Sequence, residues 1–186
     1  MNDGARNPRR SLDDDNRRLL ASLIADHRWG ALATLTGDGK PMASSVAYCP
    51  APGHDGFLLH LSRLAEHTGN LLERPSAGLL IAEPDPGDGD PQTLRRLSVQ
   101  CTVAFLTAGD TGFDMSREAY LARFPHARPR FGFSDFELFL LAPERAHYVG
   151  GFARAFALDA STLTEVLREC ANRGAGLSPA TSGGRE

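Results

Sequence analysis

One segment of the chain, residues 97–105, alternates between apolar and polar side chains, and it restricts the fold more than any other. The apolar positions are Leu97, Val99, Cys101, Val103 and Phe105, and the positions between the first four of them hold Ser98, Gln100 and Thr102. Because successive side chains of a β-strand point to opposite faces, this period of two predicts a strand with one buried and one open face. Long strands of this kind are typical of antiparallel sheets, so the pattern favours a mainly β fold.

Other short apolar runs predict the remaining strands. We expect a hairpin around a Gly-Asp-Gly turn, a loop over 49–55, and strands at 30–36, 42–48, 56–61, 77–83, 136–141 and 145–152, the last with a glycine break and an extension to 157. This is six or seven strands without βα alternation and without a repeat of 20–50 residues. An antiparallel barrel or sandwich with peripheral helices, an α+β fold that is mainly β, fits this order.

Capping residues and helical spacing predict four helices. We expect them at 12–28 after an N-cap at Ser11, from Ser62 to Leu72, from Ser116 to Phe124, and from a cap at Asp159 or Ser161 to Asn172. The flanking segments are rich in Gly, Pro, Ser and charge. We therefore expect a disordered arm at 1–10, one folded domain at 11–172 and a disordered tail at 173–186.

Charge, apolar run length and cysteine spacing exclude several classes of protein. The net charge of −3 argues against a nucleic-acid partner, which normally requires a strongly basic face. No run of apolar residues approaches the length of a transmembrane helix, and the N-terminus has no secretory signal pattern. Cys49, Cys101 and Cys170 are too widely spaced for a zinc site, and no metal site is expected. We therefore interpret the three cysteines as reduced thiols and expect a cytoplasmic location.

Several segments occur in an order that resembles a known family. They are Trp29–Leu35, Gly39–Val46, His60–Leu71 (HLSRLAEHTGNL), Leu94–Gln100, Tyr120–Pro125 and Tyr148–Phe152. In this order they resemble the pyridoxamine 5′-phosphate oxidase-like FMN-binding split-barrel superfamily, and within it the haem-utilisation (HugZ-type) branch. The resemblance implies a six-stranded antiparallel split barrel, a homodimer, and an FMN-binding cleft at the subunit interface.

The segment His60, Leu61, Ser62 and Arg63 is the predicted phosphate-binding end of this cleft. A helix N-terminus, a hydroxyl and a guanidinium are donors that suit the phosphate of FMN. The alternative is that Ser62 only caps a helix and Arg63 is solvated.

Two further groups of residues complete the predicted cofactor site. The resemblance implies that the strand carrying Ser44, Ser45 and Val46 lines the flavin, although the oxidase proper has an arginine at the position of Ser44 and a lysine at that of Leu64. Arg96 is a candidate to replace these cations, or else a surface charge. His67 and Asn70, three residues apart on a predicted helix, either contact the cofactor or the residues that hold it, or else face solvent or form a helix-terminal hydrogen bond. The complete predicted set is Ser44, Ser45, Val46, His60, Leu61, Ser62, Arg63, His67, Asn70 and Arg96.

Three functions follow from the resemblance. The first is an FMN-dependent oxidoreductase that acts on a small, unidentified substrate. The second is a haem-binding or haem-degrading protein that uses the same cleft, with His67 or His147 as the axial ligand. The third is a non-catalytic flavin-binding dimer. No general acid or base can be named from the sequence.

Overall fold

The computed structural model of the protein describes residues 11–53 and 55–175, the last five of them by backbone alone. The predicted arm at 1–10 and the tail from residue 176 onward lie outside the described residues. The helices are α1 Asp14–Asp26, α2 Glu66–Glu73, α3 Phe113–Arg123 and α4 Ala160–Ala175. The strands are β1 Trp29–Leu35, β2 Pro41–Ala47, β3 Cys49–Ala51, β4 Gly56–Ser62, β5 Ser76–Ala82, β6 Arg96–Leu106, β7 Phe136–Val149 and β8 Ala155–Asp159.

All eight strands join one antiparallel sheet in the order β2-β1-β5-β6-β7-β4-β3, with β8 added to β7. The mainly β architecture with peripheral helices is therefore confirmed, but the described residues form eight strands and not six. The two ends of the sheet approach each other, because β2 comes within 8 Å of β4 between Cα atoms. The result is a curved half-barrel.

The strand number differs because two predicted strands fuse into β7, whereas two further strands, β8 and β3, form where none was counted. The two strands expected at 136–141 and 145–152 form one strand, Phe136–Val149. Its first half pairs with β4 and its second half with β8, which follows a tight turn that begins at Gly150. The segment 49–51, expected in a loop, pairs with residues 56–58 as β3.

Two clusters of buried apolar side chains lie on opposite faces of the sheet. The main core fills the concave side, where α1 and α4 pack on each other and α4 packs on β7. The second cluster lies outside β4 and β7, beneath α3 and a 3₁₀ segment at Pro125–Gly132. Consecutive residues of β4 therefore enter different clusters: Leu59 and Leu61 enter the main core, whereas Leu58 enters the second.

Three helices begin at residues other than those predicted. The N-cap of α1 is Asp13, not Ser11, because an Asp13 carboxylate oxygen accepts the backbone N–H of Asn16 at 2.8 Å. Ser62 belongs to β4, and α2 begins at Glu66 without a side-chain cap. The start of α3 lies at Phe113, three residues before the predicted start.

The last helix confirms one capping prediction and exceeds its predicted length. Asp159 Oδ1 accepts the backbone N–H of Thr162 at 2.9 Å, so Asp159 and not Ser161 satisfies the first turn. The helix continues to Ala175, beyond the predicted end at Asn172. No helix among the described residues is long and apolar enough to span a bilayer.

Candidate functional site

The predicted phosphate-binding segment is held by acidic partners. Ser62 Oγ donates to Asp135 Oδ2 at 2.7 Å, and the Arg63 guanidinium forms an ion pair with Glu137. The backbone N–H of Arg63 donates to the Asp135 carbonyl at 2.6 Å. No helix begins at these residues, and α2 has Glu66 in its first turn. A phosphate dianion would have to displace two carboxylates here, so within one protomer the segment fits the phosphate of FMN poorly.

Arg96 lies far from this segment. It is the first residue of β6, and its guanidinium donates to the carbonyls of Gln92 and Leu94 at 3.0 and 3.2 Å. Ser62 pairs with Phe136, next to the other end of β6 at Leu106. At about 3.3 Å per residue, the length of β6 separates the two sites by about 30 Å. One protomer therefore does not bring Arg96 to Ser62 and Arg63.

The structure brings Ser44 and Asn70 to the concave side of the sheet. Asn70 is buried, and its amide nitrogen donates to Thr34 Oγ1 at 3.0 Å. On β1 and β2, Thr34 is paired with Met42, and Leu32 is paired with Ser44. Ser44 therefore lies on the same face of the sheet as the contact between Asn70 and Thr34, one cross-strand pair away.

The neighbouring predicted residues have little contact with solvent. Val46 and Leu61 are core residues with 3% and 6% of their surface exposed. His67 is half-buried on α2, and burial lowers the pKa of its imidazole. The Asn70 amide already donates its hydrogen bond to Thr34. Among the predicted residues on this side of the sheet, His67 is therefore the one with an ionisable side chain.

His60 occupies the opposite side of the sheet, in the second cluster. Its ring stacks on Phe131 with 3.9 Å between centroids and 6° between planes, and Tyr120 and Phe136 contact its other edges. Burial, with a smaller effect of Arg130, lowers the pKa of His60 to about 4. The imidazole is therefore neutral at pH 7, and it does not share a cleft with Leu61, which points into the core.

A broad face on the convex side of β2, β1, β5, β6 and β7 is lined mainly by small side chains. We call it the small-residue face. The cross-strand register places two rows there: Ser45, Ala31, Leu80, Ser98 and His147 in one, and Ala43, Ala33, Gly78, Gln100 and Arg145 in the other. Five strands at about 4.8 Å spacing give a width of about 19 Å. The depression over it has a volume of about 530 Å³.

A β-bulge places the two titratable residues of this face. Gln100 pairs with Arg145, but the next residue, Cys101, pairs with Pro143, so Glu144 is an extra residue in β7. This insertion reverses the alternation of β7 and directs Arg145 and His147 to the side of Ser98 and Gln100. Arg145 Nε donates to Gln100 Oε1.

The small-residue face offers an imidazole and a guanidinium beside a largely apolar floor. Ala and Gly side chains allow a planar ligand to approach the sheet closely, an imidazole is a common iron ligand, and a guanidinium binds carboxylates. These are the contacts that a porphyrin with its two carboxylates requires. Of the ten predicted cofactor residues, Ser45 lies in these rows, and Arg96, two residues before Ser98 on β6, lies on the same side of the sheet, one pair beyond the first row.

Sequence reasoning named Ser45 and His147 separately but missed the face that joins them, because its members are spread over five strands. Individually, alanines at 31, 33 and 43 carry no chemical signal. The available signal was that small residues alternate with buried ones, as Ala31 and Ala33 do with Leu32 and Thr34 on β1. Among the described residues, no three histidine, cysteine or acidic side chains converge as a metal cluster would require.

Comparisons with known proteins identify the family. The sequence profile of the family described as pyridoxamine 5′-phosphate oxidase matches residues 18–150. The chloroplastic non-canonical haem oxygenase HOZ of Arabidopsis thaliana is 35% identical over 130 residues, which cover 68% of this chain and 38% of that protein. The haem oxygenase HutZ of Vibrio cholerae is 24% identical over 145 residues, which cover 73% of this chain and 77% of HutZ.

A solved haem-binding protein from Mycobacterium smegmatis superposes with a TM-score of 0.71 at 27% identity, over 84% of this chain and 61% of that one. The chain thus spans less than two thirds of both HOZ and the mycobacterial protein. The matched profile covers most of the chain, and the antiparallel, mainly β fold with peripheral helices agrees with it. The chain therefore belongs to the pyridoxamine 5′-phosphate oxidase-like split-barrel family, in its haem-utilisation branch.

Proposed function

We propose that the protein binds haem on the small-residue face, with His147 as iron ligand and Arg145 as partner of a haem carboxylate. The observation that carries the proposal is the placement of these two side chains, two residues apart on β7, beside a floor of Ala, Gly and Ser. The relatives named above as haem oxygenases and as a haem-binding protein support it. Bound haem would supply a redox-active iron, and the chain would hold and orient it.

Haem titration of the purified protein tests this proposal. We expect a Soret band that shifts on binding, and we expect His147→Ala to remove the shift or weaken binding at least about tenfold, since the axial bond is lost. The matched control is His126→Ala, an exposed histidine on the 3₁₀ segment, which should bind like the wild type. Loss of the shift in His67→Ala but not in His147→Ala would move the iron to the other histidine and contradict this assignment.

A homodimer completes the proposed site. The small-residue face exposes Leu80 and several alanines across five strands, and a twofold interface is the commonest way to cover such a face. We expect light scattering to give about 40 kDa, twice the 20.0 kDa of one chain. Ala33→Arg, at the centre of the face, should reduce the measured mass to that of one chain. Ala122→Arg, at an exposed position of α3, should leave the measured mass unchanged. A monomeric wild type would contradict the proposal.

The second candidate is an FMN-dependent oxidoreductase, which the family itself favours. The phosphate of FMN would need donors other than Ser62 and Arg63, because both residues have carboxylate partners within one protomer. A flavin spectrum of the purified protein, with reduction of bound FMN by NADH or NADPH, would favour this function over haem. Bound FMN without reduction would indicate the non-catalytic flavin-binding dimer.

A further inference from the structure

Arg145 and His147 line two neighbouring depressions of the surface. One is the depression of about 530 Å³ over the small-residue face. The other, which we call the β8 depression, has a volume of about 600 Å³ and lies over β8 and the start of α4. The direction of the Arg145 guanidinium therefore decides which of the two depressions offers a cation to a ligand that carries a carboxylate.

Strand register gives this guanidinium a polar neighbour on each side. Gln100 of β6 is paired with Arg145, and Asp159 of β8 is paired with it from the other side. The Cβ atoms of directly paired residues lie about 4.5–5.5 Å apart, so both side chains are within reach of Arg145. Because a carboxylate is the stronger partner of a guanidinium, register alone would direct Arg145 towards Asp159 and the β8 depression.

The hydrogen bonds direct Arg145 to the other side. Its Nε donates to Oε1 of Gln100, which also lines the depression over the small-residue face. Asp159 Oδ1 accepts the hydroxyl of Ser161 and the backbone N–H of Thr162, at 2.8 and 2.9 Å. The first turn of α4 thus supplies donors to the Asp159 carboxylate, and the Gln100 amide holds the guanidinium on the side of the small-residue face.

The contact through Nε leaves the terminal nitrogens of Arg145 for a ligand. These nitrogens form no hydrogen bond within the described part of the chain, and their N–H groups match the two oxygens of a carboxylate. The Gln100 amide is uncharged, so it orients the guanidinium without neutralising it. We propose that Gln100 is a positioning residue that makes the small-residue face selective for haem with free carboxylates, an inference that rests on the proposed function.

Titrations of the full chain with haem and with haem dimethyl ester, followed by the Soret band, test the proposal. The two probes share ring and iron, but only haem has free carboxylates. We expect haem to bind at least about tenfold more tightly, since the ester loses a charge-assisted hydrogen bond. Equal affinities would leave haem binding intact and overturn the selectivity. No Soret shift with either probe would refute the proposed function itself, and this inference with it.

Two substitutions at the exposed Gln100 measure its part in this preference. Gln100→Leu should reduce the preference for haem over the ester at least about threefold, since the guanidinium is released towards Asp159. Gln100→Glu should abolish the preference, because the new carboxylate occupies the guanidinium. Affinity for the ester should stay within about twofold of the wild type, which a damaged fold would not allow. The matched control is Gln92→Leu, an exposed glutamine of the 3₁₀ segment Pro91–Thr93, which should retain the preference. An unchanged preference in both Gln100 variants would overturn the proposal.

A double variant shows whether Gln100 acts through Arg145. The preference for haem over the ester should be lost in Arg145→Leu, and the addition of Gln100→Leu should change it no further, because the group that Gln100 positions is already absent. A further change in the double variant would show that Gln100 contacts the ligand directly, and it would overturn the assignment of Gln100 as a positioning residue.

Discussion

Gly56→Ala is expected to destabilise the protein by about 3 kcal/mol, the upper end of what overpacking usually costs. Gly56 is the first residue of β4, where this strand passes close to β7. A Cβ at this position would lie 2.4 Å from the backbone oxygen of Leu141 and 3.0 Å from Cδ1 of Leu140. Because the Leu141 oxygen belongs to the backbone of β7, the strands themselves would have to separate. Urea denaturation followed by circular dichroism measures the change in the free energy of unfolding.

Gly78→Ala provides the matched control in another strand of the same sheet. Its Cβ would meet only Cβ of Ala33 at 3.4 Å and the Val99 oxygen at 3.8 Å, which are ordinary contacts. We expect a change within about 1 kcal/mol, since the alanine also restricts the unfolded chain. A loss as large as that of Gly56→Ala would show that loss of glycine flexibility in a strand, rather than the close approach of β4 to β7, causes the effect.

The protein is expected to lose about 3 kcal/mol of stability between pH 7 and pH 4 through His60 alone. Burial lowers the pKa of this imidazole to about 4, from 6.5 in the unfolded chain. Between these two values the unfolded state binds more protons than the folded state, so stability falls as the pH falls. A difference of one in pKa corresponds to about 1.36 kcal/mol, so the difference of about 2.5 corresponds to a loss of about 3 kcal/mol in the free energy of unfolding. Urea denaturation at a series of pH values measures this slope.

His60→Phe should remove this part of the pH dependence. Phenylalanine retains an aromatic ring to stack on Phe131 and has no proton to gain. His126→Phe is the control, because this exposed histidine is not part of the buried cluster. An unchanged slope between pH 7 and 4 in His60→Phe would show that other groups, such as the carboxylates, cause the loss.

Much of the fold could be predicted from local patterns. The alternation of residues 97–105 predicted β6 within one residue at each end, and the hairpin of β1 and β2 was predicted within one residue as well. Helix starts were less predictable, because Ser11 and Asp13 are both good caps and only the backbone geometry selects Asp13. The strand β3 could not be foreseen, since three residues acquire extended structure only by pairing with β4.

The candidate site was less accessible to sequence reasoning. Ser62 and Arg63 have the donors that a phosphate needs, but the sequence does not show that Asp135 and Glu137, more than 70 residues away, reach them first. His60 and Leu61 are neighbours in the chain and lie on opposite faces of β4. The predicted set therefore divides between the core side of the sheet, α2, the aromatic cluster, the Ser62–Arg63 segment, the small-residue face at Ser45 and the far end of β6.

The order of apolar, polar and turn residues by itself determined that this chain forms an antiparallel sheet with helices around it, because strand alternation and turn chemistry are local properties. Only the tertiary structure decided that Arg145 and His147 share a face with Ala33 and Gly78. Strand register and the single extra residue Glu144 in β7 produce this arrangement. Register depends on which strands pair across the whole sheet, and no short segment of the sequence carries that information.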